Sequence, residues 1–376
     1  MQSKRIGILR GGFVLFLSAI LMLHCSSPAK NSDPEEPGID QAVPGVNFQP
    51  DKAPFKYLSE YAFFLDNQFS PNERVLPYEL ITPLFTDYAS KSRFVWMPEG
   101  KSAGWTEDGV FEFPVGTVLI KSFYYPDELS SGEPSEKLLE TRLLVRRTQG
   151  WDALPYIWLP DRSDAIIKVA GARKPIVMEH SQGDTLRFDY IIPNKNQCKG
   201  CHTVGQAFEP IGPKARNLNR LMTYDGIQRN QLQHWIAEGY LTGAPKTSQW
   251  PAIADWQDES ESLEDRALAY LEVNCGHCHG PDGPANTSGL HLLTDETDPA
   301  HLGICKSPVA AGRGSGGLAF DITPGQADSS ILVYRMESDD PGIRMPEVGR
   351  QVAHREGVEL VRNWINEMSG DCAAPD

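Results

Sequence analysis

The sequence predicts an α+β multidomain chain, an N-terminal antiparallel β-rich domain followed by an all-α domain. Three observations carry this. Short β-branched or aromatic runs with strand-type alternation fill the chain up to about Pro193. Apolar stripes of helical period appear only later and dominate after Ser262. The 376 residues, 40% hydrophobic and 23% charged, suffice for two ordinary cores.

Taken in order, residues 1–24 read as an export signal, because Lys4, Arg5 and Arg10 precede the apolar run "GGFVLFLSAILMLH", which is short for a membrane span. The run ends at Cys25, a candidate lipidation site, although His24 and Met22 depart from the usual lipobox; ordinary cleavage nearby is the alternative. Residues 25–50, rich in Pro, Ser, Asn and acidic groups, read as a disordered tether. The β-rich domain is expected over 51–243. In "KLLETRLLVRR", Leu139, Thr141, Leu143 and Val145 alternate with Glu140, Arg142, Leu144 and Arg146, the period of a half-buried strand. The runs "GTVLIKSFYY", "PYIWLP", "AIIKVA" and "TLRFDYII" are strands by the same reasoning, in a sandwich or curled sheet. Near its end, "IQRNQLQHWIAEGYL" suggests one amphipathic helix packing Leu232, Trp235 and Ile236.

Residues 244–261 read as a linker and 262–376 as the all-α domain. Ser262 with Asp265 makes a capping-box-like start, and Leu263, Ala267, Tyr270 and Leu271 form a stripe leading into Cys275. A closing helix, "EGVELVRNWINEM", sets Val361, Trp364, Ile365 and Met368 on one face and stops at Gly370. Cys305 and Cys372 are expected to form a disulfide in an oxidising compartment; two buried thiols are the alternative.

The formal charge is −15, and loss of Lys4, Arg5 and Arg10 with the leader takes it to −18. Such a surface argues against nucleic acid and anionic lipid as partners and is compatible with a basic redox partner. Membrane attachment is expected only through a lipid anchor at Cys25.

The chemistry lies in two pentapeptides, "CKGCH" at Cys198, Cys201 and His202, and "CGHCH" at Cys275, Cys278 and His279. Two thiols three residues apart can reach the two vinyl groups of one porphyrin while the following imidazole meets the iron, so each motif predicts a covalent c-type haem. Zinc is the main competitor for paired Cys-x-x-Cys elements, but the histidine directly after each second cysteine and the export signal speak against it. A thioredoxin-type motif would need a βαβ frame that neither site shows. Sixty-six residues after His279, Met345 stands between Pro341, Gly342 and Pro346 in a loop that cannot be helical, and is the candidate second axial ligand; Met336 is the alternative. No equal candidate follows His202. Met222, His234, Met178 and His180 could ligate, and an open, five-coordinate iron is the other expectation. His277 is expected at the solvent.

The helix running into "CGHCH", the "MP" loop and the closing helix resemble, over residues 262–372, the class I cytochrome c domain. The phrases "NCGHCHGPDGPANTSGL", "GICKSPVAAGRGSGG" and "RMPEVGR", with "LITPLFTDYASKSRFVWMPEG" and "PIGPKARNLN", look like a set of exported di-haem cytochromes, some of them lipoproteins. That resemblance implies two covalently attached haems; with the export signal it makes an electron-transfer task in the periplasm or at the outer membrane and cell surface the expectation, and the acidic charge permits a redox protein or a larger dehydrogenase as partner. More weakly, "FPVGTVLIKSF" and the motif closing the β-rich half resemble, over about residues 55–205, the β-sheet mono-haem cytochromes of the cytochrome c-prime-beta kind. In that family a lysine can cross-link to the porphyrin and the distal face binds nitric oxide; Lys121 is a loose analogue of that lysine. The second expectation is therefore an enzyme whose first haem reacts with peroxide, nitric oxide or hydroxylamine while the second relays electrons.

Overall fold

Six strands return beside one another in sequence order to make an antiparallel meander: β1 (Val75–Pro77), β2 (Ser90–Trp96), β3 (Val118–Asp127), β4 (Ser135–Arg147), β5 (Gly150–Trp158) and β6 (Ala165–Ile167). The computed structural model describes residues 45–127, 135–246 and 249–373; the expected leader and the tether up to residue 44 lie outside them. One face of the sheet carries Ile120, Leu143, Val145, Leu154 and Tyr156, covered by Leu58, Tyr61 and Phe63. A hairpin of β7 (Ala172–Glu179) and β8 (Thr185–Ile192) packs Ile176, Tyr190 and Ile192 on Phe123, Tyr125, Leu139 and Ile157, beyond a bulge in the β3–β4 register at Phe123/Tyr124. The N-terminal region is thus antiparallel and β-rich, and the strand pattern of "KLLETRLLVRR" holds. Its other face, however, is not solvated: Glu140 is fully buried, and Arg142 and Leu144 line an internal cavity.

The helices follow. First comes α1 (Lys195–His202), then α2 (Gln231–Ala237), which is shorter than the sequence suggests because Ile227–Asn230 pairs as a strand with Leu221–Tyr224. Asn230 caps α2 by accepting from the backbone N–H groups of Leu232 and Gln233. Leu232 and Trp235 are buried as expected, but Ile236 is 38% exposed.

The later region is helical: α3 (Leu263–Leu271), continued by a π-helical turn at Glu272–Gly276, then α4 (Ile331–Glu337) and α5 (Arg355–Glu367). Ser262 caps α3 through its Oγ, which accepts from Asp265 N at 3.0 Å. Ala267, Tyr270 and Leu271 pack against Val358, Val361, Trp364 and Ile365. At Gly357 on α5 a Cβ would fall 2.2 Å from Tyr270 Cζ, so only glycine allows the helices this close. A disulfide joins Cys305 to Cys372, just beyond α5. Among the described residues no helix is long and apolar enough to cross a membrane.

The strand region and the helical region are bonded to each other, and all described residues belong to one compact unit. The segment read as a linker is irregular yet pinned, since Ile253 N donates to Arg216 O at 2.9 Å and Thr82 Oγ1 to Ala254 O at 2.8 Å. Arg355 on α5 holds Asp184 with two 2.7 Å bonds, and Tyr88 Oη donates to Glu356 at 3.0 Å. Glu272 is buried between Arg216, Lys214 and Thr294.

Asp87 makes the most pH-sensitive of these ties. Its Oδ1 accepts from the backbone of Gln351 at 2.5 Å and Val352 at 3.0 Å. Burial pushes its carboxyl up to about 6, against the pull of those two bonds and of Arg350 and Arg344; Lys91 also feels its charge. The native state therefore binds the proton more tightly than the unfolded chain, and stability present below the unfolded value near 3.8 is lost as pH rises through about 6. The loss amounts to about 3 kcal/mol. Asp87→Asn keeps an oxygen for both N–H groups without the charge, so denaturant unfolding should show the wild type weakening relative to the variant between pH 4 and 7. A constant difference across that range would refute the assignment.

Candidate functional site

Each motif is built by local capping. Asn194 and Gln197 exchange side-chain-to-backbone bonds of 2.9 Å at the start of α1, which nucleates a helix too short to stand alone and sets Cys198 and Cys201 one turn apart with His202 adjacent. His202 Nδ1 lies 2.8 Å from the carbonyl oxygen of Glu209. A carbonyl only accepts, so Nδ1 carries the proton and Nε2 keeps its lone pair. Phe208 stacks on the ring at 5.1 Å, and burial pushes the imidazole down to about 4, leaving it neutral.

At the second motif the wide π-turn ends in a closed loop in which Cys278 N and His279 N both donate to Cys275 O, at 3.0 and 2.8 Å. A Cβ at Gly283 would stand 2.2 Å from Cys278 O, so the chain can fold back over the motif only with glycine there. His279 Nδ1 is 3.0 Å from Ser288 Oγ, and that hydroxyl spends its proton on Ala285 O at 2.7 Å. The hydroxyl oxygen therefore accepts from Nδ1–H, and Nε2 is again the free nitrogen. Burial, with Arg335 nearby, pushes His279 down to about 4.

The two turns touch. Cys278 Sγ donates to Gly200 O at 3.7 Å, Gly205 N donates to Asp282 O at 2.8 Å, and the thiols of Cys201 and Cys278 are hydrogen-bond neighbours. Between them opens a cavity of about 650 Å³ lined by Cys198, Cys201, His202, Cys275 and His277, within the usual range for a cofactor pocket of about 300–1,000 Å³. His277, expected at the solvent, is half-buried in this wall because the π-turn rotates it inward. A tetrahedral zinc site would set its thiolates roughly 3.8 Å apart. Among the described residues no three of these cysteines gather within 4.8 Å of one another.

The sheet supplies the cavity's charged wall. Arg93, Lys121 and Arg142 pair directly across β2, β3 and β4, a row of three cations on one face. Like charges placed opposite one another destabilise a sheet. Arg142 is neutralised by Glu140 through bonds of 2.7 and 2.6 Å; burial works against its charge, but Glu140 outweighs it and holds the guanidinium protonated. Arg93 and Lys121 have no hydrogen bond or ion pair among the described residues, and Lys121 only overlies the Phe123 ring at 5.0 Å. Burial first, then Arg93, Lys91 and Arg142, push the Lys121 amine well below its ordinary value. An anionic group in the cavity would pair the Arg93 guanidinium and favour the protonated Lys121 amine, and the two carboxylates of a haem meet that need. The thiols of Cys198, Cys201 and Cys275, the free Nε2 of His202, an apolar floor and these basic side chains fit a c-type haem; Cys278 and His279 do not line the cavity, which the second motif reaches through Cys275, Gly276 and His277.

Met336 and Met345 both line the cavity. Met336 is a buried core residue on α4, whereas Met345 is half-buried in the loop after it. That loop is clamped by Arg350, whose Nη2 shares its two N–H groups among the carbonyl oxygens of Arg335, Met336, Ser338 and Met345, all at 2.9–3.1 Å. Met178, His180, Met222 and His234 do not line the cavity. His180 packs on Tyr88 with Nε2 3.3 Å from Glu356, and His234 lies on Tyr224. Sequence reasoning missed Arg93, Arg142, Glu209, Ser288 and Arg350; charge on strands was a signal for Arg93 and Arg142 alone, since Glu209 acts through its backbone carbonyl, Ser288 through a hydroxyl and Arg350 on backbone carbonyls.

No protein-family model matches the chain, and no curated protein and no solved structure matches it.

Proposed function

We propose that the chain is an exported di-haem cytochrome c, one haem held by Cys198, Cys201 and His202 and the other by Cys275, Cys278 and His279, with residues 262–376 acting as a class I cytochrome c domain. The observation that carries this reading is the contact of the two motif turns, Gly200 against Cys278 and Gly205 against Asp282, around one shared cavity. Bound there, each haem supplies a one-electron couple. The protein's part is to hold each imidazole by Nδ1–H with Nε2 free, to balance carboxylates with Arg93 and Lys121, and to keep water from the apolar wall. Met345, fixed by Arg350, would offer its thioether sulfur to the iron at the second site, and such a ligand would raise the potential there. Export, a lipid anchor at Cys25, and a redox protein or larger dehydrogenase as partner belong to the same proposal; nucleic acid does not.

Met345→Ala should abolish the methionine-sulfur-to-iron absorption band and lower the potential of one haem only. Met336→Ala should keep the band and cost about 2–5 kcal/mol as a core truncation. The reverse pattern would exchange their roles.

A second reading is favoured by one observation: none of Met178, His180, Met222 and His234 lines the cavity beside His202, where Tyr78, Arg93 and Lys121 do. An open first haem would then be an enzyme site for peroxide, nitric oxide or hydroxylamine. Nitric oxide or cyanide should change the spectrum of one haem only; two unresponsive haems would remove this reading.

A further inference from the structure

Outside the cavity, one cluster of side chains has coordination geometry. His291 and His301 both aim Nδ1 at the same oxygen of Glu296, at 3.2 and 3.1 Å. Their rings lie 4.3 Å apart, and the three donor atoms fall within 4.8 Å of one another, the one such group among the described residues. The scaffold around them is fixed. His291 N donates to His301 O at 2.8 Å, closing the loop that contains Glu296. The other Glu296 oxygen accepts from Thr297 N and Asp298 N, both at 2.9 Å, which leaves Oε2 aimed at the two imidazoles.

Nitrogen and carboxylate ligands sit about 2.0–2.2 Å from a zinc ion, so donors 3.1–3.2 Å apart subtend roughly 100° at a common centre. That angle suits a tetrahedral or distorted site, with each ring in the Nε2–H tautomer so that Nδ1 offers its lone pair to the ion. We propose that His291, Glu296 and His301 bind one divalent late transition ion, zinc or copper, through the two Nδ1 atoms and Oε2. Two imidazoles and a single carboxylate favour these ions over calcium or magnesium, which want more oxygens. His301, 43% exposed, leaves the fourth position to water or an external ligand. The site is independent of the haem reading but lies beside it in the chain: Leu292, next to His291, donates its N–H to the carbonyl oxygen of His279 at 2.8 Å.

The test uses the mature full-length protein, stripped with a chelator and titrated with zinc chloride by calorimetry, then loaded with copper(II) for electron paramagnetic resonance. The expected results are one saturable site attributable to the cluster, weakened at least roughly tenfold in Glu296→Gln and in His301→Ala. The copper spectrum should show coupling to two nitrogens, falling to one in His301→Ala. Because Glu296→Gln keeps the side-chain shape, unchanged unfolding of the metal-free variant separates lost binding from lost folding. Binding that is absent, or equal in wild type and both variants, or copper coupled to no imidazole nitrogen of this loop, would overturn the proposal.

Discussion

Replacing Arg350 with alanine should cost about 3–5 kcal/mol of stability, the scale seen when a buried charge network loses one partner, and should release the Met345 loop. Arg350 is only 3% exposed. Its Nη2 gathers the carbonyl oxygens of Arg335, Met336 and Ser338 at the end of α4 together with that of Met345, and Nε reaches Met345 O again at 3.1 Å. The last carbonyls of a helix have no partners within it, so one guanidinium serves as the cap of α4 and as the anchor of the loop. Burial lowers its proton affinity, and Asp339, 3.5 Å from Nη1, supports the charge. Alanine would take this donor from the carbonyl oxygens of Met336, Ser338 and Met345, each a costly loss, while Arg335 O keeps the N–H of Met345 at 3.0 Å. Lysine, a point charge without the planar fork, should recover only part. Denaturant titration of the haem-loaded protein, read by both intrinsic fluorescence and the methionine-sulfur-to-iron band, checks both effects. A loss below about 1 kcal/mol with the band intact would contradict the clamp.

Removing the Cys305–Cys372 disulfide should cost a similar amount. The bond closes a loop of 67 residues, for which the unfolded-chain entropy model gives about 4 kcal/mol. The loop contains Met345, Arg350 and all of α4 and α5, so the bridge ties the end of the closing helix to the segment before Ile322, whose carbonyl accepts from Cys305 N at 2.9 Å. A Cys305→Ala, Cys372→Ala double variant should unfold at lower denaturant than the oxidised parent, and a reducing agent should lower the parent but not the variant. Equal midpoints for oxidised parent and variant would count against the bridge as a stabilising element.

The sequence made the elements more legible than the site. Strands β3, β4, β5, β6 and β8 announce themselves through alternation and turn residues, and α3 and α5 through caps and apolar stripes. The Cys305–Cys372 pairing was inferable only through the expectation of export to an oxidising compartment. Alternation, however, records two faces without saying what covers the second. The polar positions of β4 therefore look like a solvent face, although Glu140 is fully buried and Arg142 lines a cavity. For the same reason "SKSRFVW" hides β2, whose Lys91 and Arg93 point away from water. The motifs give the thiols and imidazoles directly. What orients those imidazoles, the Glu209 carbonyl and the Ser288 hydroxyl, depends on how the chain turns back after each motif. Arg350 acts on carbonyl groups, which every residue has, so no pattern of side chains marks it.

On the proposed function, each Cys-x-x-Cys-His turn carries its own haem. Intact-mass analysis of the mature chain, expressed with a haem-attachment system and combined with haem absorbance per polypeptide in alkaline pyridine, tests it most directly. Two covalently bound haems per chain are predicted, with one lost in Cys198→Ser, Cys201→Ser and the other in Cys275→Ser, Cys278→Ser. A mature chain that carries one haem or none would contradict the account.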